Sequence, residues 1–228
     1  MRPHRALAPR LEPTIVLPSS EAAHLRVLRA QVGDVLTVFD GAGLEAKAVI
    51  LEVGERFVLQ LEPAQKSSLE PPQPLTLAIA LLKADKLSDV VRAATELGVA
   101  KIQLLQTQHS QAKDIGVQKL ERLRRIAAEA AKQCQRNVIP DVLKPVALEA
   151  LSAPGVVAHP HSALLPHEAV HWDAPFCAVC GPEGGFSSRE IALLEEKGIV
   201  RVTLGRRILR AETAALALVS SLTAAQGF

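Results

Sequence analysis

Short alternating apolar segments fill the first part of the chain. Four of them, within the first 63 residues, predict β-strands at 14–17, 34–40, 45–53 and 56–63. Residues 19–30 predict a short helix with Ser19 or Ser20 as its N-terminal cap, and 40–43 predict a tight hairpin turn. Consecutive strands joined in this way favour a small β-barrel over βαβ units.

The second part of the chain alternates strands with helices. An uninterrupted apolar run at 75–82 predicts a strand that is covered on both faces of a sheet. Further strands are predicted at 101–107, 155–160, 176–181 and 200–205. Apolar residues at helical spacing predict helices at 87–97 and 120–134, a capping box opens another at Ser187, and the last runs from about 212 to 226. Because this last helix is apolar nearly all round, we expect it to be buried in a core or, as we favour, in a subunit interface.

These patterns predict two domains. Residues 1–66 form the small β-barrel, 67–74 a proline-rich linker, and 75–228 an α/β domain with a parallel sheet. Ligands of open parallel sheets bind beyond the carboxyl ends of the strands. The candidate site is therefore built from three loops that follow predicted strands, at 159–161, 181–186 and 205–211.

Composition and charge exclude several classes of function. The 228-residue chain is 48% hydrophobic and 22% charged, which is ordinary for a globular protein. It has no apolar run of the roughly 20 residues that span a bilayer, and its N-terminal residues lack the apolar core of a signal peptide. We therefore expect a cytoplasmic protein without a membrane partner. With 3% aromatic residues and a net charge of +2, stacking platforms for single-stranded bases are not expected, and any RNA contact would use arginine and lysine.

Cysteine and histidine spacing does not predict a metal site. Cys177 and Cys180 form a CxxC pair on a predicted strand, where residues three apart point to opposite faces. We therefore interpret both as core residues. Three cysteines in the chain suit a reducing compartment. The histidines at 159, 161, 167 and 171 lack the acidic or cysteine partners of a zinc set.

Two of the three candidate loops carry unusual residues. The run 181–186 (GPEGGF) has three glycines that let its backbone approach a ligand closely, although a tight strand-to-helix turn would use them as well. In the run 204–213, three arginines precede a helix N-terminus, where their charge opposes the helix dipole. An anionic ligand, Glu183 or Glu212 would offset that charge, unless the loop is simply solvated.

The two loop motifs together resemble the RsmE family, the 16S ribosomal RNA uridine-N3 methyltransferases of the SPOUT superfamily. The matching residues are GPEGGFS with a following glutamate at 181–190 and LGRRILRAETA at 204–214, with further matches at 26–29, 39–41, 83–86, 95–99 and 133–136. The resemblance implies a PUA-like β-barrel in front of a SPOUT-type parallel sheet with a C-terminal trefoil knot. It also implies a homodimer whose active sites are completed across the subunit interface.

The same resemblance implies a cofactor and a substrate. S-adenosylmethionine would bind in the knot loops, at His159, Pro160, Gly181, Pro182, Glu183, Gly184, Gly185, Leu204, Gly205, Ile208, Leu209, Thr213 and Ala214. The substrate would be one uridine of 16S ribosomal RNA near the decoding centre, and scattered arginines favour the assembled small subunit over protein-free RNA. Phosphate contacts that position this RNA are expected from Arg2, Arg5, Arg26, Arg29, Lys83 and Lys86.

Methylation of uracil N3 requires the removal of its proton. A protein can supply a general base, or cations that stabilise the developing imide anion. Arg210 and Arg136 are predicted for the second role. Glu183 and Glu212 remain open, each as a base or as a structural acid.

Two other functions remain open on the sequence alone. One is a SPOUT enzyme that methylates a different nucleoside, and the other is a non-catalytic RNA-binding assembly factor. Three residues also depart from the family pattern: His109 stands where relatives often carry arginine, Lys132 where some carry glutamate, and Arg92 where lysine is common. None of them lies in the cofactor motifs, so we expect any consequence to concern RNA contacts near His109.

Overall fold

A computed structural model describes residues 4–66, 69–83, 85–151, 154–170 and 172–227. The chain forms two compact units. The first contains Met1–Glu70 together with Ala131–Ile139, and the second contains Pro71–Ala130 together with Pro140–Phe228. The sequence did not indicate that a segment so far along the chain joins the first unit. Among the described residues, no helix has the length and apolar character needed to cross a bilayer.

The first unit contains a six-stranded sheet and one short helix. Its elements are β1 (His4–Leu7), β2 (Thr14–Val16), α1 (Ser19–Val27), β3 (Val35–Phe39), β4 (Leu44–Val53), β5 (Phe57–Leu61) and β6 (Gln65–Lys66). The strand order is β1-β3-β4-β5-β2, with β6 paired to β4 and with β1 parallel to β3. Alternate residues of the long strands are buried, including Leu36, Val38, Ile50 and Leu59, as the apolar alternation predicts.

The second unit contains a parallel six-stranded sheet. Its strands are β7 (Leu75–Ala80), β8 (Lys101–Gln106), β9 (Asp141–Ala147), β10 (Gly155–Ala158), β11 (Phe176–Cys180) and β12 (Ile199–Val202), in the order β12-β10-β11-β7-β8-β9. The helices are α2 (Lys86–Glu96), α3 (Gly116–Cys134), α4 (Ser188–Glu196) and α5 (Ala211–Ala225), and α3 ends in the segment that joins the first unit. The predicted fold class, a parallel α/β sheet after a small β domain, is confirmed.

Packing against the central strands holds the candidate loops in place. The strands β10 and β11 lie side by side within the sheet, and β11 is buried along its whole length. Gly155 of β10 is a point of close approach, because a Cβ atom there would lie 2.7 Å from the backbone oxygen of Cys177. Helix α5 packs on β7, β10 and β11, and its buried residues include Leu218 and Leu222. Part of this helix is therefore core, and whether its remaining face meets a second subunit stays a prediction.

Two local predictions were wrong and one was confirmed. Pro18 occupies the N-cap position of α1 and no side chain caps that helix, so the predicted serine cap is incorrect. Strand β9 was missed because it contains Pro145, and proline is tolerated only at a sheet edge or bulge. The structure puts β9 at the edge, with a register shift against β8. The capping box that opens α4 is present, with Ser187 as the cap and Glu190 as its partner.

Candidate functional site

One cavity of about 590 Å³ lies at the carboxyl ends of the central strands of the second unit. The three loops named from the sequence meet there, together with Lys86 from the start of α2. Of the residues predicted to contact the cofactor, those that line the cavity are His159, Pro160, Gly181, Pro182, Glu183, Gly185, Leu204, Gly205, Ile208, Leu209 and Ala214. Gly184 and Thr213 do not line it, although their neighbours do. The backbone topology thus brings together residues that are far apart in the chain, from Lys86 to Ala214.

The loop at 181–186, called the glycine loop below, owes its shape to two of its glycines. A Cβ atom on Gly181 would lie 3.1 Å from the ring of Phe186, so glycine allows that ring to pack against the loop backbone. Gly185 has a φ of +68°, a conformation that L side chains rarely adopt, and its N–H donates to the carbonyl of Pro182 at 2.9 Å. Phe186 also lines the cavity, which the sequence analysis missed although the residue lies inside the motif.

A cluster of three charged side chains lies at the cavity. The Nζ atom of Lys86 is 3.1 Å from the carboxylate of Glu212 and 3.7 Å from that of Glu183. The backbone N–H of Lys83 also donates to Glu183, at 3.2 Å. Lys86 was predicted to contact RNA phosphate, but here it faces two carboxylates, one from the loop at 181–186 and one from the first turn of α5. Its position beside the cavity could not be inferred from its charge alone.

The environment of Glu212 favours its ionised form. A hydrogen bond from its own backbone N–H lowers the pKa of this carboxyl below its usual value, and the hydrogen bond and charge of Lys86 and the charge of Arg210 act in the same direction, against partial burial. Glu212 lies in the first turn of α5, where the N-terminal end of the helix stabilises negative charge. A carboxylate held in this way is a weak base.

The two arginines predicted for catalysis have very different surroundings. Arg210 is exposed, lines the cavity, and occupies the N-cap position of α5. Its guanidinium forms no hydrogen bond or ion pair with any residue that the structure describes. Arg136 belongs to the first unit and is only 4% exposed. Its Nη2 atom lies 2.6 Å from a carboxylate oxygen of Glu70, and its Nε atom lies 3.2 and 3.3 Å from the two oxygens of the same carboxylate.

The residues predicted to contact RNA differ in how free they are. Arg5 is largely buried, donates to the side chains of Glu45 and Asn137, and stacks on the ring of Phe39 at 5.0 Å. Its guanidinium is therefore engaged inside the first unit.

Two further candidates lie on the surface of the same unit. Arg26 is exposed and donates to the backbone carbonyls of Gly54 and Glu55. Arg29 is exposed and has a φ of +56°. Arg2 lies outside the described residues.

The surroundings of His159 and of two cysteines near the cavity favour the neutral forms of these side chains. Burial lowers the pKa of His159, with smaller contributions in the same direction from the charges of Arg201 and His161, so its imidazole is neutral near pH 7. Burial raises the pKa of Cys177 and of Cys180 to about 12 in each case, which confirms that both are core residues. Within the described ranges, no group of three His, Cys, Asp or Glu side chains is arranged to hold a metal ion.

Comparison with known proteins identifies both parts of the chain. Residues 69–223 match the family model of an RNA methyltransferase domain, and 17–61 match that of an RNA methyltransferase PUA domain. The parallel sheet with its loop-built cavity is therefore the catalytic domain of an RNA methyltransferase, preceded by a PUA domain.

Individual relatives show which family of RNA methyltransferases the chain resembles. A ribosomal RNA small subunit methyltransferase E from Synechocystis sp. is 36% identical over 93% of this chain and 74% of the relative, and one from Bacillus subtilis is 31% identical over 92% and 90%. This chain belongs to the ribosomal RNA small subunit methyltransferase E family. A crystal structure of a member from Neisseria gonorrhoeae bound to S-adenosyl methionine has a TM-score of 0.90, with 27% identity over 98% of both chains. The resemblance to the RsmE family is thereby confirmed.

Proposed function

We propose that this protein methylates the N3 atom of one uridine in 16S ribosomal RNA of the small subunit, near the decoding centre, with S-adenosylmethionine as the methyl donor. Family membership supports ribosomal RNA methylation, and the solved relative from Neisseria gonorrhoeae is bound to this cofactor. The observation that carries the chemistry is the free guanidinium of Arg210 at a cavity built from the two motif loops.

The cavity fits a cofactor of this size and character. Small-molecule sites commonly enclose about 300–1,000 Å³ and combine apolar walls with a few polar groups. Here the apolar part comes from Pro160, Phe186, Leu204 and Leu209, and the polar part from the backbone of the glycine loop and from the charged cluster. The residues that would hold the cofactor are those of the three loops. When bound, the cofactor supplies an electrophilic methyl group on a sulfonium centre.

The surroundings of the acids favour charge stabilisation over a general base. Glu212 has a lowered pKa, and Glu183 accepts from the backbone of Lys83 and lies beside Lys86. Both carboxylates are already engaged with cationic or donor groups. We infer that the N3 proton leaves to solvent and that Arg210 stabilises the negative charge that spreads to the uracil carbonyl oxygens. The N3 lone pair would then take the methyl carbon, while the carbon–sulfur bond of the bound cofactor would break and return its electrons to the sulfur. The role of Arg136 as a second cation stays a prediction.

The test is methyl transfer by Arg210 variants to unmodified small subunits, with the product nucleoside identified by mass spectrometry. We expect N3-methyluridine at one site, and a fall in kcat of about 100-fold to 1,000-fold in Arg210→Ala, the range for losing one charge-stabilising donor. Arg210→Lys should retain part of the activity. Arg206→Ala is the matched control, because Arg206 is exposed in the same loop but does not line the cavity. Full activity of Arg210→Ala would refute the proposed role, and a different product nucleoside would refute the proposed substrate.

The same proposal extends to the assembly and its substrate. We expect a cytoplasmic homodimer in which each site is completed by the second subunit, and a trefoil knot in the cofactor loops. The half-buried residues Leu216 and Ala217 of α5 are consistent with a further contact surface. Sedimentation equilibrium tests the dimer. Equal methylation of assembled subunits and of protein-free 16S ribosomal RNA at matched salt would refute the preference for the assembled particle, and failure to bind S-adenosylhomocysteine would favour a non-catalytic RNA-binding factor.

A further inference from the structure

The loop that follows β8 contacts the glycine loop through His109, a residue that does not line the cavity. The Nδ1 atom of His109 lies 3.1 Å from the carbonyl oxygen of Gly184 and 3.1 Å from that of Gly185. Because carbonyl oxygens only accept hydrogen bonds, Nδ1 must carry the proton in this arrangement. A Cβ atom on Gly184 would lie 3.0 Å from the Cβ of His109, so glycine at this position leaves the space that the histidine side chain occupies.

A second contact joins the loop after β8 to the first turn of α4, which directly follows the glycine loop. The backbone N–H of Gln108 donates to Oε1 of Glu190 at 2.7 Å. The other oxygen of Glu190 accepts from the backbone N–H of Ser187 at 2.8 Å, as part of the capping box of α4. The donor loop is itself braced, since the hydroxyl groups of Thr107 and Ser110 are 2.7 Å apart and both residues are buried. The glycine loop is thus held near its middle by His109 and at its end by the backbone of Gln108.

We propose that His109 is a positioning residue for the glycine loop. The inference rests on the proposed function, since it concerns the same cavity. Hydrogen bonds from His109 turn two consecutive carbonyl groups of the glycine loop toward the loop after β8, and they hold Gly185 at its positive φ while Gly185 lines the cavity. A loop of glycines has many accessible conformations, and fixing one of them raises the population that binds the ligand.

The expected signature is a change in cofactor affinity rather than in the chemical step. If His109→Ala leaves about one loop in ten in the binding conformation, the Kd for S-adenosylhomocysteine and the KM for S-adenosylmethionine rise about tenfold. The value of kcat at saturating cofactor should change less than threefold, because no atom of His109 lines the cavity. His109→Asn keeps a donor close to the position of Nδ1 and should recover most of the affinity. Gly184→Ala should resemble His109→Ala, since its Cβ would displace the histidine.

The experiment combines calorimetric titration of S-adenosylhomocysteine with steady-state kinetics and thermal unfolding. The matched control is Gln111→Ala, an exposed residue of the same loop, which should bind the cofactor product as the wild type does. Unchanged Kd and KM in His109→Ala would overturn the proposal. The proposal would also be overturned if His109→Ala and His109→Asn lost cofactor affinity equally and both had a lower Tm, because that result indicates a purely structural role. A wild-type protein that does not bind S-adenosylhomocysteine would instead refute the proposed function, and this inference with it.

Discussion

Replacement of Arg136 by methionine should destabilise the first unit by about 3 kcal/mol, because it breaks a buried ion pair from one side. The side chain of Arg136 is 5% exposed and that of Glu70 is 22% exposed, and three N–O distances of 2.6 to 3.3 Å join the two groups. Removing one partner of such a pair commonly costs about 3–5 kcal/mol. We expect the lower end of this range, since the carboxylate left behind reaches solvent.

Glu70→Gln should also destabilise the first unit, because it removes the carboxylate that faces the buried guanidinium of Arg136. Replacing both residues, as Arg136→Met with Glu70→Leu, should recover a large part of the loss, since no unpaired charge then remains buried. One acceptor is still missing in that double variant, because Glu70 also accepts from the backbone N–H of Val138.

Urea unfolding followed by circular dichroism measures the effect. A loss of about 3 kcal/mol lowers the midpoint by roughly 1–3 M, given typical urea slopes for small domains. Trp172 is the one tryptophan of the sequence and belongs to the second unit, so its fluorescence separates unfolding of that unit from unfolding of the first. A loss below about 1 kcal/mol in Arg136→Met, or a double variant no more stable than the single ones, would refute the reasoning. If the guanidinium acts mainly on Glu70, kcat of the folded variant should stay within a few-fold of the wild type.

Three further predictions test other parts of the structure. Glu212→Gln should lower Tm at pH 7, because the pKa of this carboxyl is lower in the folded protein than its ordinary value of 4.5 and its ionised form therefore stabilises the fold. The difference in Tm should shrink as the pH falls below 4.5 and the carboxyl becomes protonated. A difference in Tm that is independent of pH would contradict this. Gly155→Ala should cost about 1–3 kcal/mol in urea unfolding, because its Cβ would lie 2.7 Å from the oxygen of Cys177, whereas Gly54→Ala, with nothing within 4 Å, should change stability by less than about 1 kcal/mol. Iodoacetamide at pH 8 should modify the half-buried Cys134 in the native protein, while the other two thiols, buried and with a pKa of about 12, should react only after unfolding, as mass spectrometry of the peptides would show.

Local patterns predicted most of the regular structure. Five of the six parallel strands were predicted, most clearly at 75–82, because a strand that is buried on both faces is a continuous apolar run. The capping box of α4 was found because its two residues satisfy each other's backbone N–H groups without help from the rest of the chain. Strand β1 was not predicted because its four residues are too few to show a period. Strand β9 was not predicted because it contains a proline, which a strand tolerates at the edge of a sheet but not in its centre.

Contacts between distant residues could not be predicted in the same way. The side chain of Arg5 bonds to Asn137, which is 132 positions away, and this contact helps to join 131–139 to the first unit. No periodicity or spacing carries that information. The partners of Lys86 could not be predicted for the same reason. Its charge suggested a contact with RNA phosphate, but in the structure it lies beside two glutamates that the fold of the sheet brings close. Most of the motif residues that were predicted to contact the cofactor line the cavity, because each motif is contiguous and its loop is short.

The balance of charge at the cavity gives a reason for the arginines of the second motif loop. Three of them precede the N-terminal end of α5, where positive charge is unfavourable unless an anion offsets it. Glu183 and Glu212 were candidates for that role, but both carboxylates lie beside Lys86, at 3.7 and 3.1 Å from its Nζ atom. Arg210 influences Glu212 only through space and forms no ion pair with the described residues. In the proposed function, the exposed guanidinium of Arg210 is therefore available to an anion from the substrate, either an RNA phosphate or the imide anion of the base.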